Sequence, residues 1–114
     1  MKQLLFSVVL IASLIAFEGC HKEHQVADTH KPFIVIKGAN PIYSALDATY
    51  QDPGAEAFDV TASGDTIDIT HQLKVTDNIN IHKRGTYKVY YNVSDDAGNR
   101  ADEKIRNVII EIFK

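Results

Sequence analysis

Several side chains in this sequence are of types that do chemistry, and their surroundings decide how far that chemistry goes. Tyr43, Tyr50 and Tyr90 are the candidate ligand-binding residues. A tyrosine ring on a sheet face offers an apolar surface on which a sugar can stack, while polar neighbours bond the hydroxyls. Cross-strand packing is the plainer reading for Tyr90. Asp52, Asp59, Asp65, Asp68, Asp77, Asp95 and Asp96 stand in or beside turns. Loops gathered at one end of a fold can assemble the roughly six to eight oxygens that calcium takes. Asp and Asn are also common turn formers, because their side chains bond the backbone two residues on. No regular calcium-loop spacing appears, so the turn reading is favoured and no metal or cofactor is expected.

Catalysis needs a nucleophile beside a base, or two carboxylates with separated pKa values, held in a pocket. His71 and His82 lie in no recognisable motif and read as solvated turn or strand-edge residues. His21, His24 and His30 are close together, but their spacing matches no zinc pattern. The chain is expected to be no enzyme.

The elements that carry these residues begin with a targeting segment. Lys2 precedes an uncharged apolar run from Leu4 to Phe17, followed by Glu18-Gly19-Cys20. The run is shorter than the ~20 residues of a membrane-spanning helix and fits a secretory signal. The chain has one cysteine, which cannot staple its own chain. Its place after Gly19 resembles the lipobox of bacterial lipoproteins, although Phe17 and Glu18 depart from that pattern. The resemblance implies acylation of Cys20, which would become the mature N-terminus and anchor the protein in the membrane. The expected division is a lipoprotein signal peptide at 1–19, a flexible polar tether at 20–31 and one folded domain at 32–114. The expected place is the bacterial cell envelope, at the outer membrane.

Net charge is -3, with no basic stripe, so nucleic acid is not an expected partner. After Pro32 the chain becomes a succession of short β-branched and aromatic runs between turn residues, which predicts an all-β fold. Strands are predicted at Phe33–Ile36, Ile42–Tyr43, Ala55–Val60, Leu73–Val75, Ile79–Ile81, Tyr87–Ser94 and Lys104–Phe113, with Thr61–Asp68 a loop, or with a strand starting at Ile67 and Ile69. Asp52-Pro53-Gly54 predicts a tight turn. In the strand after Gly85, Tyr87, Val89, Tyr91 and Val93 fall on the face to be buried. Tyr87 or Tyr91 would tie its hydroxyl to the backbone as a tyrosine corner. In the last strand Ile105 is out of phase with Val108, Ile110 and Ile112, which predicts a bulge near Arg106-Asn107.

These segments resemble a known family. Pro32 to Gly38 followed by Asn40-Pro41, then Tyr50-Gln51-Asp52-Pro53-Gly54-Ala55, Gly85-Thr86-Tyr87 and Val93 to Asn99 occur in the order of the bacterial immunoglobulin-like domain of surface proteins, found also in a pesticidal crystal protein. Arg84 stands where that family usually has Pro, and Ser63 to Thr70 lengthens its middle motif. The resemblance implies an immunoglobulin-like antiparallel β-sandwich of about seven strands. It also implies an extracellular setting and a spacer or adhesive role. The expected function is a lipid-anchored structural or interaction module contacting protein at the cell surface. The alternative is a small glycan-binding lipoprotein of a nutrient-uptake or adhesion system.

Overall fold

A strand whose side chains alternate buries one side only, and here two sheets bury those sides against each other. The computed structural model describes residues 27–113; the expected signal peptide, Cys20, His21 and His24 lie outside them. The strands are β1 (Phe33–Ile36), β2 (Ile42–Ala45), β3 (Ala55–Val60), β4 (Thr66–Asp68), β5 (Lys74–Asp77), β6 (Gly85–Asn92) and β7 (Lys104–Glu111). A 3₁₀ turn at Thr70–Gln72 joins β4 to β5. One sheet has the order β1-β3-β4 and the other β2-β7-β6-β5.

Neighbouring strands are antiparallel except β2 and β7, which pair in parallel from Ile42 beside Val108 to Ala45 beside Glu111. The expected β-sandwich is therefore built from one antiparallel sheet and one sheet that is antiparallel but for this pair. Gly38 takes the left-handed conformation (φ 79°), and Pro41 has no N–H to continue a ladder. The chain thus leaves the first sheet after β1 and joins the second as β2, along the last strand.

Three strand expectations need correction. Thr66–Asp68, read as the end of a loop or, from Ile67, as the start of a strand, is a strand that pairs with β3 from Phe58 beside Asp68 to Val60 beside Thr66. Thr61 and Asp65 bond across the connecting turn, with Gly64 at φ 95° inside it. Ile79–Ile81, read as strand, is a loop in which side chains take the bonds a ladder would have used. Asp77 accepts the Ile79 N–H, Asn80 that of His82 and Asn78 that of Lys88, at 3.0, 3.0 and 2.9 Å. The predicted bulge is absent, since β6 and β7 keep one unbroken register from Gly85 beside Ile110 to Tyr91 beside Lys104. Arg106 simply occupies the inward position, in phase with Val108 and Ile110. Ile112 lies past the strand and is exposed.

The core comprises Ile34, Ala55, Ala57, Ile69, Val89, Tyr91, Val93, Val108 and Ile110, drawn from both sheets and the segments beside them. Val89, Tyr91 and Val93 are buried as the alternation predicts, and Tyr87 is half-buried against them. The Tyr87 hydroxyl donates to Lys83 O at 2.7 Å, the expected tyrosine-corner bond. Among the described residues no helix is long and apolar enough to cross a membrane.

Candidate functional site

The polar centre of the sandwich is assembled around the inward side chain that the bulge expectation had missed. Arg106 is 0% exposed. Its Nε donates to Asp52 Oδ1 at 3.0 Å and to the Tyr91 hydroxyl at 3.2 Å. Its two terminal nitrogens donate to the carbonyls of Lys37, Ala39 and Gly54. The guanidinium carbon lies 5.9 Å from the centre of the Tyr91 ring. Both Tyr50 and Tyr91 donate their hydroxyls to Asp52, which also accepts the Gly54 N–H at 2.9 Å.

This is why Asp52-Pro53-Gly54 folds as it does. The carboxylate closes the turn two residues on, Gly54 supplies the positive φ of 87°, and the same carboxylate neutralises the buried guanidinium. Burial by itself would push the Asp52 carboxyl up. The Tyr50, Tyr91 and Gly54 hydrogen bonds and the Arg106 charge outweigh it and hold the group below the usual carboxylate range. Burial, followed by the hydrogen bond to Asp52, pushes the hydroxyls of Tyr50 and Tyr91 up. The network joins the β1–β2 crossover, the β2–β3 loop and the middle of β7, so its chemistry is fixation of the fold.

The three candidate tyrosines separate accordingly. Tyr50 belongs to this network. Tyr43, 56% exposed, sits beside Ile109 on the outward face of the four-stranded sheet. Tyr90 sits on that face beside Ile105 and Thr76. Strand spacings place Tyr43 and Tyr90 roughly 16 Å apart. Between them Lys88 Nζ donates to Asn107 Oδ1 at 3.1 Å. Cys20 lies outside the described residues.

The turn acids behave largely as turn formers. Asp52, Asp68 and Asp77 each accept the N–H two residues on. His71 is exposed, and His82 Nδ1 lies 2.7 Å from Asp47 Oδ1 at the surface. Among the described residues, shallow grooves lie beside Lys74, Asn92 and Arg100 and beside Arg84, Thr86 and Glu111.

The ends of the sandwich are distinct. The chain enters beside the β6–β7 turn, where Asn99 Nδ2 donates to Asp28 O at 3.0 Å and Lys31 pairs with Asp102 at 2.8 Å. It leaves after Glu111, beside Ala45 and the start of β6. The exit end is knitted by Leu46 N–H to Glu111 O and Asp47 N–H to Ile81 O, at 2.9 and 2.8 Å.

Sequence reasoning missed Arg106 as the partner of Asp52. Counting back by twos from Ile110 and Val108 lands on it, and that count was the available signal.

Residues 34–110 match the family described as bacterial surface protein, Ig-like domain. Among solved structures, a lipoprotein from Bacteroides thetaiotaomicron has a similar fold, with a TM-score of 0.57 and 18% identity over 73% of this chain. The match spans 39% of that lipoprotein's length. No curated protein matches the chain.

Proposed function

The chain belongs to the family of bacterial surface protein Ig-like domains, and from that premise we propose a non-catalytic spacer and interaction module, anchored by a lipid on Cys20 and displayed at the outer membrane. The observation that carries the reading is the path of the chain through the sandwich. It arrives beside the β6–β7 turn and departs at the opposite end of β7. Eight residues of strand therefore separate arrival from departure, roughly 26 Å. A domain crossed from end to end holds its far loops away from whatever its N-terminal side is fixed to. Those far loops, Leu46–Tyr50 and Asn78–Arg84, are tied to each other and present Asp47, His82, Lys83 and Arg84 to solvent. A platform of this kind suits contact with a protein at the cell surface.

Fatty-acid labelling and fractionation test the anchor. The wild-type chain takes up the label and sediments with membranes, and Cys20→Ser does neither. A wild-type chain that stays unlabelled and soluble overturns it. For the contact, crosslinking on intact cells is expected to capture a membrane protein through the far loops, and to do so equally in Tyr90→Ala.

The outward face bearing Tyr43 and Tyr90 favours glycan capture as a second reading. Binding on a glycan array that disappears in Tyr90→Ala supports it over protein contact.

A further inference from the structure

Among the described residues one buried carboxylate oxygen has no hydrogen-bond partner. Asp59 stands on β3, two residues from Ala57 on the inward row, and is 6% exposed. Its Oδ1 is buried and has no hydrogen-bond partner among the described residues. Its carboxylate faces two others. Carboxylate oxygens of Asp28, Asp59 and Asp95 all lie within 4.8 Å of one another. Asp95 is likewise 6% exposed and Asp28 is half-buried.

Three carboxylates so close and so dry repel each other unless a positive charge or protons lie between them. Among the described residues the only ion-pair partner of the trio is His30, whose Nδ1 is 3.5 Å from Asp28 Oδ1. Asp95 is already oriented by Asn99, which donates its N–H to Oδ1 at 2.7 Å and its Nδ2 to Oδ2 at 2.9 Å. Asp28 accepts the His30 N–H at 3.0 Å. These donors leave lone pairs on both carboxylates free, since each carboxylate can accept about four bonds.

We propose that Asp28, Asp59 and Asp95 form a site for a hard divalent cation, calcium by preference. The donor set is oxygen only, which excludes the metals that need nitrogen or sulfur. Calcium–oxygen distances of about 2.3–2.6 Å allow ligand oxygens up to roughly 5 Å apart across the ion. The three oxygens, all within 4.8 Å of one another, lie inside that limit, and a donor set drawn from three separate segments suits the flexible geometry of calcium better than the near-ideal octahedron that magnesium demands. The unpartnered Oδ1 of Asp59 becomes a ligand instead of an orphan.

The three residues come from the segment before β1, from β3 and from the turn after β6, so the ion fixes the incoming chain to both sheets. The joint between tether and sandwich is then stiff with calcium and looser without it. This holds whether or not Cys20 carries a lipid.

The test is thermal unfolding and calorimetric titration of the full chain in detergent, after chelation and then with calcium or magnesium chloride. Extracellular calcium modules have Kd values of about 10⁻⁴–10⁻³ M. At ten times the Kd the wild-type Tm is expected to rise by roughly 5–10 °C. Magnesium is expected to raise it less. Asp59→Asn removes the calcium response while its metal-free Tm stays at or above that of the wild type. Asp28→Asn, at the more exposed rim, removes the response even if the Asp59 variant fails to fold. The exposed Asp96→Asn keeps it. A wild-type chain with no heat and no Tm shift up to about 10 mM calcium, stabilised only by acid, would show a shared proton and overturn the site. So would an Asp28→Asn chain that responds like the wild type.

Discussion

Removing the carboxylate of Asp52 tests the Arg106 network directly. In Asp52→Ala the guanidinium keeps its three carbonyls and the Tyr91 hydroxyl but loses its counter-charge, and it is 0% exposed. Breaking a buried pair from one side costs about 3–5 kcal/mol, because an uncompensated charge remains behind. The turn also loses the bond to the Gly54 N–H, and two tyrosine hydroxyls lose their acceptor. A domain of this size has a total stability of about 4–13 kcal/mol. The loss therefore takes a large part of it. At about 4–8 °C per kcal/mol, Tm should fall by roughly 12–40 °C. The chain contains no Trp, so urea or thermal unfolding is followed by tyrosine emission and circular dichroism. Arg106→Leu is also destabilising, because it frees the carbonyls of Lys37, Ala39 and Gly54, but the double variant should lose less than the sum of the two. A fall in Tm under about 5 °C for Asp52→Ala, or simple additivity in the double variant, would refute the account.

The same carboxylate has a pH signature. Its folded pKa is depressed, so its contribution is present above the unfolded value and is lost as pH drops from about 4 through the folded value; this acid limb should be missing in Asp52→Asn. Asp59 behaves oppositely in the chelated protein. Burial, and then the charges of Asp95 and Asp28, raise its carboxyl, and the base nearest the cluster, His30, pairs with Asp28. Its contribution is therefore full below the unfolded pKa and lost as pH rises through the folded one, a trend that pH-dependent melting should lose in Asp59→Asn. Gly38→Ala should cost more than Gly54→Ala. Both have positive φ, but a Cβ at Gly38 would lie 3.1 Å from Pro53 Cβ while one at Gly54 meets nothing within 4 Å, a difference that denaturant midpoints will measure. Tyr87→Phe loses one hydrogen bond to Lys83 O and should cost about 0.5–1.5 kcal/mol in urea unfolding, with the fold unchanged.

The alternation around Tyr87 to Val93 and the runs at Phe33 and Ala55 reported local facts, since a side chain's facing depends only on its own strand. Those strands, the all-β class and the tyrosine corner were accordingly legible in the sequence. Register with a distant partner is not a local quantity. Counting by twos from Val108 and Ile110 puts Arg106 inward, but only the assembled fold brings Asp52 and three carbonyls to where a buried guanidinium can be satisfied. The Ile79–Ile81 loop looked like a strand because it alternates, but Asp77, Asn78 and Asn80 supplied bonding partners that alternation does not reveal. The sequence by itself therefore determined that paired sheets would form and which residues would turn the chain. Only the tertiary structure decided which acid would neutralise an arginine and which would be left in a cluster, because Asp52 meets Arg106, and Asp59 meets Asp28 and Asp95, only when strands remote in sequence pack together.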